Sequence, residues 1–130
     1  LGATVLGEKV KDTLTPGSHG STFGGNPVCC AGALSVLSRI DETFLADVRK
    51  KSDYITSQLE GASGVISVSG RGLMLGIECE RPAKDVISDC LANGVLVLSA
   101  KTKVRLLPPL CIGFDELAEG IAVLKEALAK

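Results

Sequence analysis

From residue 41 onward the spacing of apolar residues switches between helical and extended periods, and the order of the switches restricts the fold more than any other feature. Leu45, Val48, Ile55 and Leu59 recur at helical spacing, with Asp47, Arg49, Lys50, Lys51 and Asp53 filling an outward face. Gly61 and Gly64 break that helix. Residues 65–68 and 73–78 then read as two strands around Gly70, Arg71 and Gly72, a tight antiparallel pair. Pro82 opens a second helix that carries Val86, Ile87, Cys90 and Leu91 inward and stops at Asn93-Gly94. Residues 95–98 and 103–107 read as another strand pair, ended by Pro108-Pro109, which cannot donate to a ladder. A last helix over 115–129 buries Leu117, Ile121, Leu124 and Leu128, with acidic residues early and lysines late, as the helix dipole favours. Helix, two strands, helix, two strands, helix is an α+β arrangement, with helices on one face of a mostly antiparallel sheet.

Residues 1–40 do not follow that order. LGATVL reads as the end of a buried strand and residues 8–14 as a short polar helix or turn. A glycine- and hydroxyl-rich loop over 17–27, GSHGSTFGGNP, leads into a helix from Pro27 to about Ile40, with Asn26 as N-cap and Pro27 at the first helical position. Its small face of Ala31, Gly32, Ala33 and Ser35, with Leu34 and Leu37 for packing, predicts a buried helix. Residues 1–40 therefore read as the end of a different domain plus a connecting helix, and 41–130 as a separate α+β domain. The opening on Leu1, inside an apolar run, fits a fragment of a longer protein.

Composition narrows the function classes. Fourteen basic and 15 acidic residues are interspersed, and aromatics make up only 3% of the 130 residues, so neither a basic stripe nor a base-stacking platform is present to suggest nucleic acid. No apolar run reaches membrane-spanning length and no secretory leader pattern opens the chain, which gives a cytoplasmic, non-membrane expectation. Five scattered cysteines without C-x-x-C spacing, beside a single histidine, argue against a disulfide framework and a zinc site and predict buried free thiols.

Three places offer chemistry. In the glycine loop, the hydroxyls of Ser21 and Thr22 can donate to a phosphate or carboxylate at a helix N-terminus while Gly20, Gly24 and Gly25 let the backbone approach; a plain connector with capping hydroxyls fits equally well. His19 lacks a partnered carboxylate and reads as a solvated loop residue. Arg105 is the one charge in VRLLPP, so its guanidinium can serve as a two-pronged carboxylate clamp or, alternatively, point to solvent from an edge strand. Glu78 and Glu80 alternate past Cys79 at a strand end and read as solvated rather than as an acid–base pair.

Three collinear segments, GSHGSTFGGNPVCCAGALSVL, GRGLMLGIE and GVLVLSAKTKVRLLPPL, carry a resemblance that covers essentially the whole chain. They resemble the C-terminal part of class III (ornithine-type) pyridoxal-phosphate aminotransferases, most nearly the acetylornithine branch, with variants in the succinylornithine, ornithine and 4-aminobutyrate branches. The resemblance implies the small C-terminal domain of a fold-type I enzyme working as a homodimer on amino-acid and 2-oxo-acid substrates. It implies that Thr22 contacts the pyridoxal 5'-phosphate of the other subunit, that Ser21 lies near substrate, and that Arg105 clamps a substrate carboxylate. It also implies that the Schiff-base lysine lies upstream of Leu1, so that no catalytic residue is expected here and the fragment alone is expected to be inactive. The local lysines, Lys50, Lys51 and Lys125 among them, sit on faces expected to be exposed, with no apolar pocket to lower a pKa.

Overall fold

A computed structural model describes all 130 residues, in two compact units, Leu1–Asp41 and Glu42–Lys130. In the first unit, helix α1 spans Pro27–Leu37. The Asn26 side chain accepts a hydrogen bond from the Cys29 N–H at 3.1 Å, and Pro27 occupies the first turn, where its missing N–H costs nothing. Two expectations fail here. LGATVL forms no strand, because the unit supplies no neighbouring strand to complete a ladder, whereas residues 8–14 form turns, one of the two forms expected. Nor does α1 bury any residue: Leu34 and Leu37 stand exposed, since residues 1–41 contain no other apolar face broad enough to cover them.

The second unit contains α2 (Glu42–Leu59), β1 (Val65–Arg71), β2 (Met74–Cys79), α3 (Ala83–Ala92), β3 (Leu98–Ala100), β4 (Lys103–Leu106) and α4 (Phe114–Leu128). The strands form one sheet in the order β1-β2-β4-β3, every neighbour antiparallel, with a bulge between Val65 and Ser67. Gly70, at φ 143°, allows the β1–β2 hairpin to close, because a Cβ there would lie 2.9 Å from the Leu75 Cα. The second pair is shorter than expected. Val97 is buried but joins no ladder, which starts at Leu98.

Strand alternation sorts the sheet into two faces. Leu75 lies opposite Leu106 and Ile77 opposite Val104, and these four buried side chains pack with Ile55 and Leu59 of α2, Val86 of α3 and Leu124 and Leu128 of α4. The helices thus cover one face, as the α+β expectation required. In α3 the buried stripe is Ala83, Val86 and Cys90, so Leu91, one step further round, is exposed rather than inward. Cys90 alone of the five thiols is buried; Cys29 and Cys111 are exposed, because neither α1 nor the turn after β4 is covered.

Lys51 reverses an expectation. It is 4% exposed, on the α2 stripe with Val48, Ile55 and Leu59. Its ammonium pairs with Asp47 one turn earlier, donates to the Leu110 carbonyl at 3.2 Å and lies 6.0 Å from the Phe114 ring centre, so burial is matched by partners. At the far end of the unit Arg81 donates to the Ala127 carbonyl and to Asp89, and Lys130 pairs with Asp89 at 3.0 Å, which satisfies the end of α4.

Candidate functional site

The first candidate region is the loop ahead of α1. A turn closes from the Gly24 N–H to the Ser21 carbonyl at 3.2 Å, a second from the Asn26 N–H to the Phe23 carbonyl at 3.2 Å, and Gly25 adopts φ 72°. The upstream hydroxyls are used locally, Thr15 and Ser18 meeting at 2.8 Å. Ser21 and Thr22 are exposed, and their hydroxyls take no part in the side-chain bonding that ties Thr15 to Ser18. Two hydroxyl donors beside glycine backbone and a capped helix start are a donor set that suits a phosphate. His19 is exposed in the same loop.

The second region is the sheet face turned away from the helices. Arg105 sits on β4 between Gly76 of β2 and Leu98 of β3, so it belongs to an inner strand and the edge-strand alternative does not apply. Its Nε is closed to solvent and has no hydrogen-bond partner within the protein. A buried guanidinium N–H without an acceptor is costly, and an incoming carboxylate would repay it.

Around Arg105 the other polar groups are already paired. Glu78 accepts a hydrogen bond from the Ser67 hydroxyl at 2.9 Å and lies 3.6 Å from the Lys103 ammonium. Lys103 also donates to the Ser69 hydroxyl at 3.2 Å. Glu78 is therefore part of a four-residue network rather than a free strand-end carboxylate, while Glu80 lies exposed beyond β2. Lys103 reads from the sequence only as a lysine near a chain turn, unsuited to a Schiff base, although it shares strand parity with Arg105 two residues on, which was the available signal.

Burial makes two of the thiols poorer nucleophiles. Burial pushes Cys90 up, with the nearby Asp89 carboxylate adding to it, and burial likewise raises Cys79 against a smaller opposing hydrogen bond involving Val104. Among the lysines, Lys51 is buried but its ammonium is committed to Asp47 and Leu110.

Comparison with known proteins points to one family. The chain is 45% identical to the acetylornithine aminotransferase of Haemophilus ducreyi over its whole length, and 40% identical to that of Bacillus subtilis over 99% of its length. It spans only 34% and 35% of those two relatives, about a third. Its backbone is similar to ornithine aminotransferase from Toxoplasma gondii, with a TM-score of 0.77 at 29% identity over 91% of this chain and 30% of that one. It is also similar to acetylornithine aminotransferase from Elizabethkingia anophelis, with a TM-score of 0.75 at 29% identity over 90% of this chain and 33% of that one. Residues 1–128 match the family model described as aminotransferase class-III, and the chain belongs to that family.

Proposed function

We propose that this chain is the C-terminal part of a pyridoxal-phosphate aminotransferase that moves an amino group from N-acetylornithine to 2-oxoglutarate, a step of arginine biosynthesis, in the cytoplasm. The observation that carries the reading is Arg105, whose Nε is buried without an acceptor on an inner strand, in a chain 45% identical to an acetylornithine aminotransferase.

Both substrates carry carboxylates, and the guanidinium of Arg105 is the group that would hold one and orient the reacting carbon. Thr22 would donate its hydroxyl to the cofactor phosphate across a homodimer interface, with Ser21 beside it near substrate; their exposed donors fit that group. When bound, the cofactor supplies the electron sink for both half-reactions. The lysine that carries it would come from the part of the enzyme outside these residues, and this chain alone would be inactive. Nucleic acid and membrane have no part in this reading.

The test is steady-state kinetics of the full-length, cofactor-loaded enzyme with N-acetylornithine, N-succinylornithine, ornithine and 4-aminobutyrate as donors. N-acetylornithine should give the highest kcat/KM. Arg105→Ala should raise KM for donor and acceptor while the cofactor absorbance persists. Loss of cofactor with unchanged KM values would overturn the role given to Arg105.

A further inference from the structure

The chain that leaves β4 after Leu106, its last ladder residue, runs through Pro108 and Pro109, which have no N–H to donate, before α4 starts at Phe114. A local turn from the Ile112 N–H to the Pro109 carbonyl at 3.0 Å gives this stretch its shape. From the helix layer the Lys51 ammonium reaches it, donating to the Leu110 carbonyl at 3.2 Å across 59 positions of sequence. Asp47 holds the same ammonium, the Phe114 ring centre lies 6.0 Å away, and Tyr54 packs edge-on against Phe114 with ring centres 5.9 Å apart. One buried group thus joins α2, the turn and the first turn of α4. Burying an ammonium carries a desolvation penalty of several kcal/mol that an apolar side chain of the same size escapes, so stability alone gives little reason for a lysine here. The placement of the turn gives one.

We infer that Lys51 is a positioning residue for the carboxylate clamp: by holding the Leu110 carbonyl it fixes where the chain leaves β4, and so keeps the end of that strand, with Arg105, in one place. This rests on the clamp role proposed for Arg105. β4 is short, Lys103–Leu106, and Arg105 stands one residue from its end. Leu106 is buried, but Leu107 beyond it is 53% exposed and anchors nothing in the core. A strand end that continues into two prolines frays unless the continuation is held. Without the ammonium the turn loosens, the last pair of the ladder opens, and the guanidinium loses its fixed direction.

The test uses the full-length, cofactor-loaded enzyme and reads deuterium uptake of peptides covering 107–113 together with KM and kcat. Lys51→Met fills nearly the same space and removes the bond. It should speed uptake at the turn about tenfold, as expected for loss of a hydrogen bond from a charged donor. It should also raise KM for 2-oxoglutarate about three- to tenfold, with kcat and the cofactor absorbance retained, because a displaced clamp holds its ligand less well. Lys51→Arg keeps a charged donor and should stay near the parent in both measurements. Unchanged uptake in Lys51→Met overturns the tether. Faster uptake at the parental KM overturns the positioning role, since the bond would then serve the fold alone, and an arginine variant as impaired as the methionine one would assign the effect to packing. Arg105→Lys separates the two levels. If it leaves KM for 2-oxoglutarate unchanged, the clamp reading itself falls; if it raises KM while Lys51→Met does not, only the role of Lys51 is refuted.

Discussion

The backbone of Gly64 lies against the carbonyl of Leu128, with no room for a Cβ between them. Gly64 has φ 77°, and Gly61 in the same turn has φ 75° but faces open space. The pair separates conformational strain from crowding. Gly61→Ala should cost about 1 kcal/mol, the usual penalty for a left-handed alanine. Gly64→Ala should cost about 2 kcal/mol more, because α4 must also move from the β1 entry. Urea unfolding of the two variants checks this, and equal losses would show that the approach of Leu128 carries no energetic weight.

Asp89 gives the second unit an acid-sensitive fastening. Hydrogen bonds from Lys130 and Arg81 hold its carboxyl below the ordinary carboxylate range. A carboxylate depressed on folding stabilises the fold above its unfolded value, about 3.9, and that contribution disappears as pH falls through the folded value. The thermal midpoint should therefore drop on acidification below about pH 4. Asp89→Asn should lower the midpoint at pH 7 and flatten the acid limb; an unaltered limb would place the acid sensitivity elsewhere.

At Lys51 the size of the replacement should matter more than its charge. Lys51→Met keeps the packing against Phe114 and removes both charge and desolvation, so a loss below about 1.5 kcal/mol is expected. Lys51→Ala also opens a void under α2 and should cost about 2–4 kcal/mol. Chemical denaturation ranks them, and a methionine variant as weak as the alanine one would mean that the bond to the Leu110 carbonyl dominates.

For the glycine loop, Thr22→Ala in the full-length enzyme should lower pyridoxal-phosphate affinity about tenfold, as expected for loss of one hydrogen bond to a charged group. Dialysis followed by cofactor titration reads it directly. Unchanged retention would return Thr22 to a plain connector.

How much of this was legible in the sequence depended on how local the cause was. The Asn26 cap, the Gly70 hairpin and the stop at Pro108 follow from residues within a few positions, and all were readable. Lys51 was readable by spacing, three residues after Val48 and four before Ile55, but its charge argued for the outside, and its partners Leu110 and Phe114 are some 60 positions away. The setting of Arg105 needed the strand order, because in sequence β4 is the last strand and looks like an edge. Only the pairing of β4 with both β2 and β3 makes it internal, and only that pairing brings Lys103 to Glu78. The small apolar face of α1 read as a buried surface, yet none of its residues is buried, because what covers a helix is not written in the helix.

The order β1-β2-β4-β3 also has a bearing on self-association. It leaves β1 and β3 as the open borders of the sheet. β3 is only three residues long, and β1 is dislocated by its bulge between Val65 and Ser67 and ends on the charge of Arg71. Each is a poor template for a strand from another molecule. The sheet can thus stay finite in a crowded solution, without stacking into fibrils, although two of its four strands have an unpaired side.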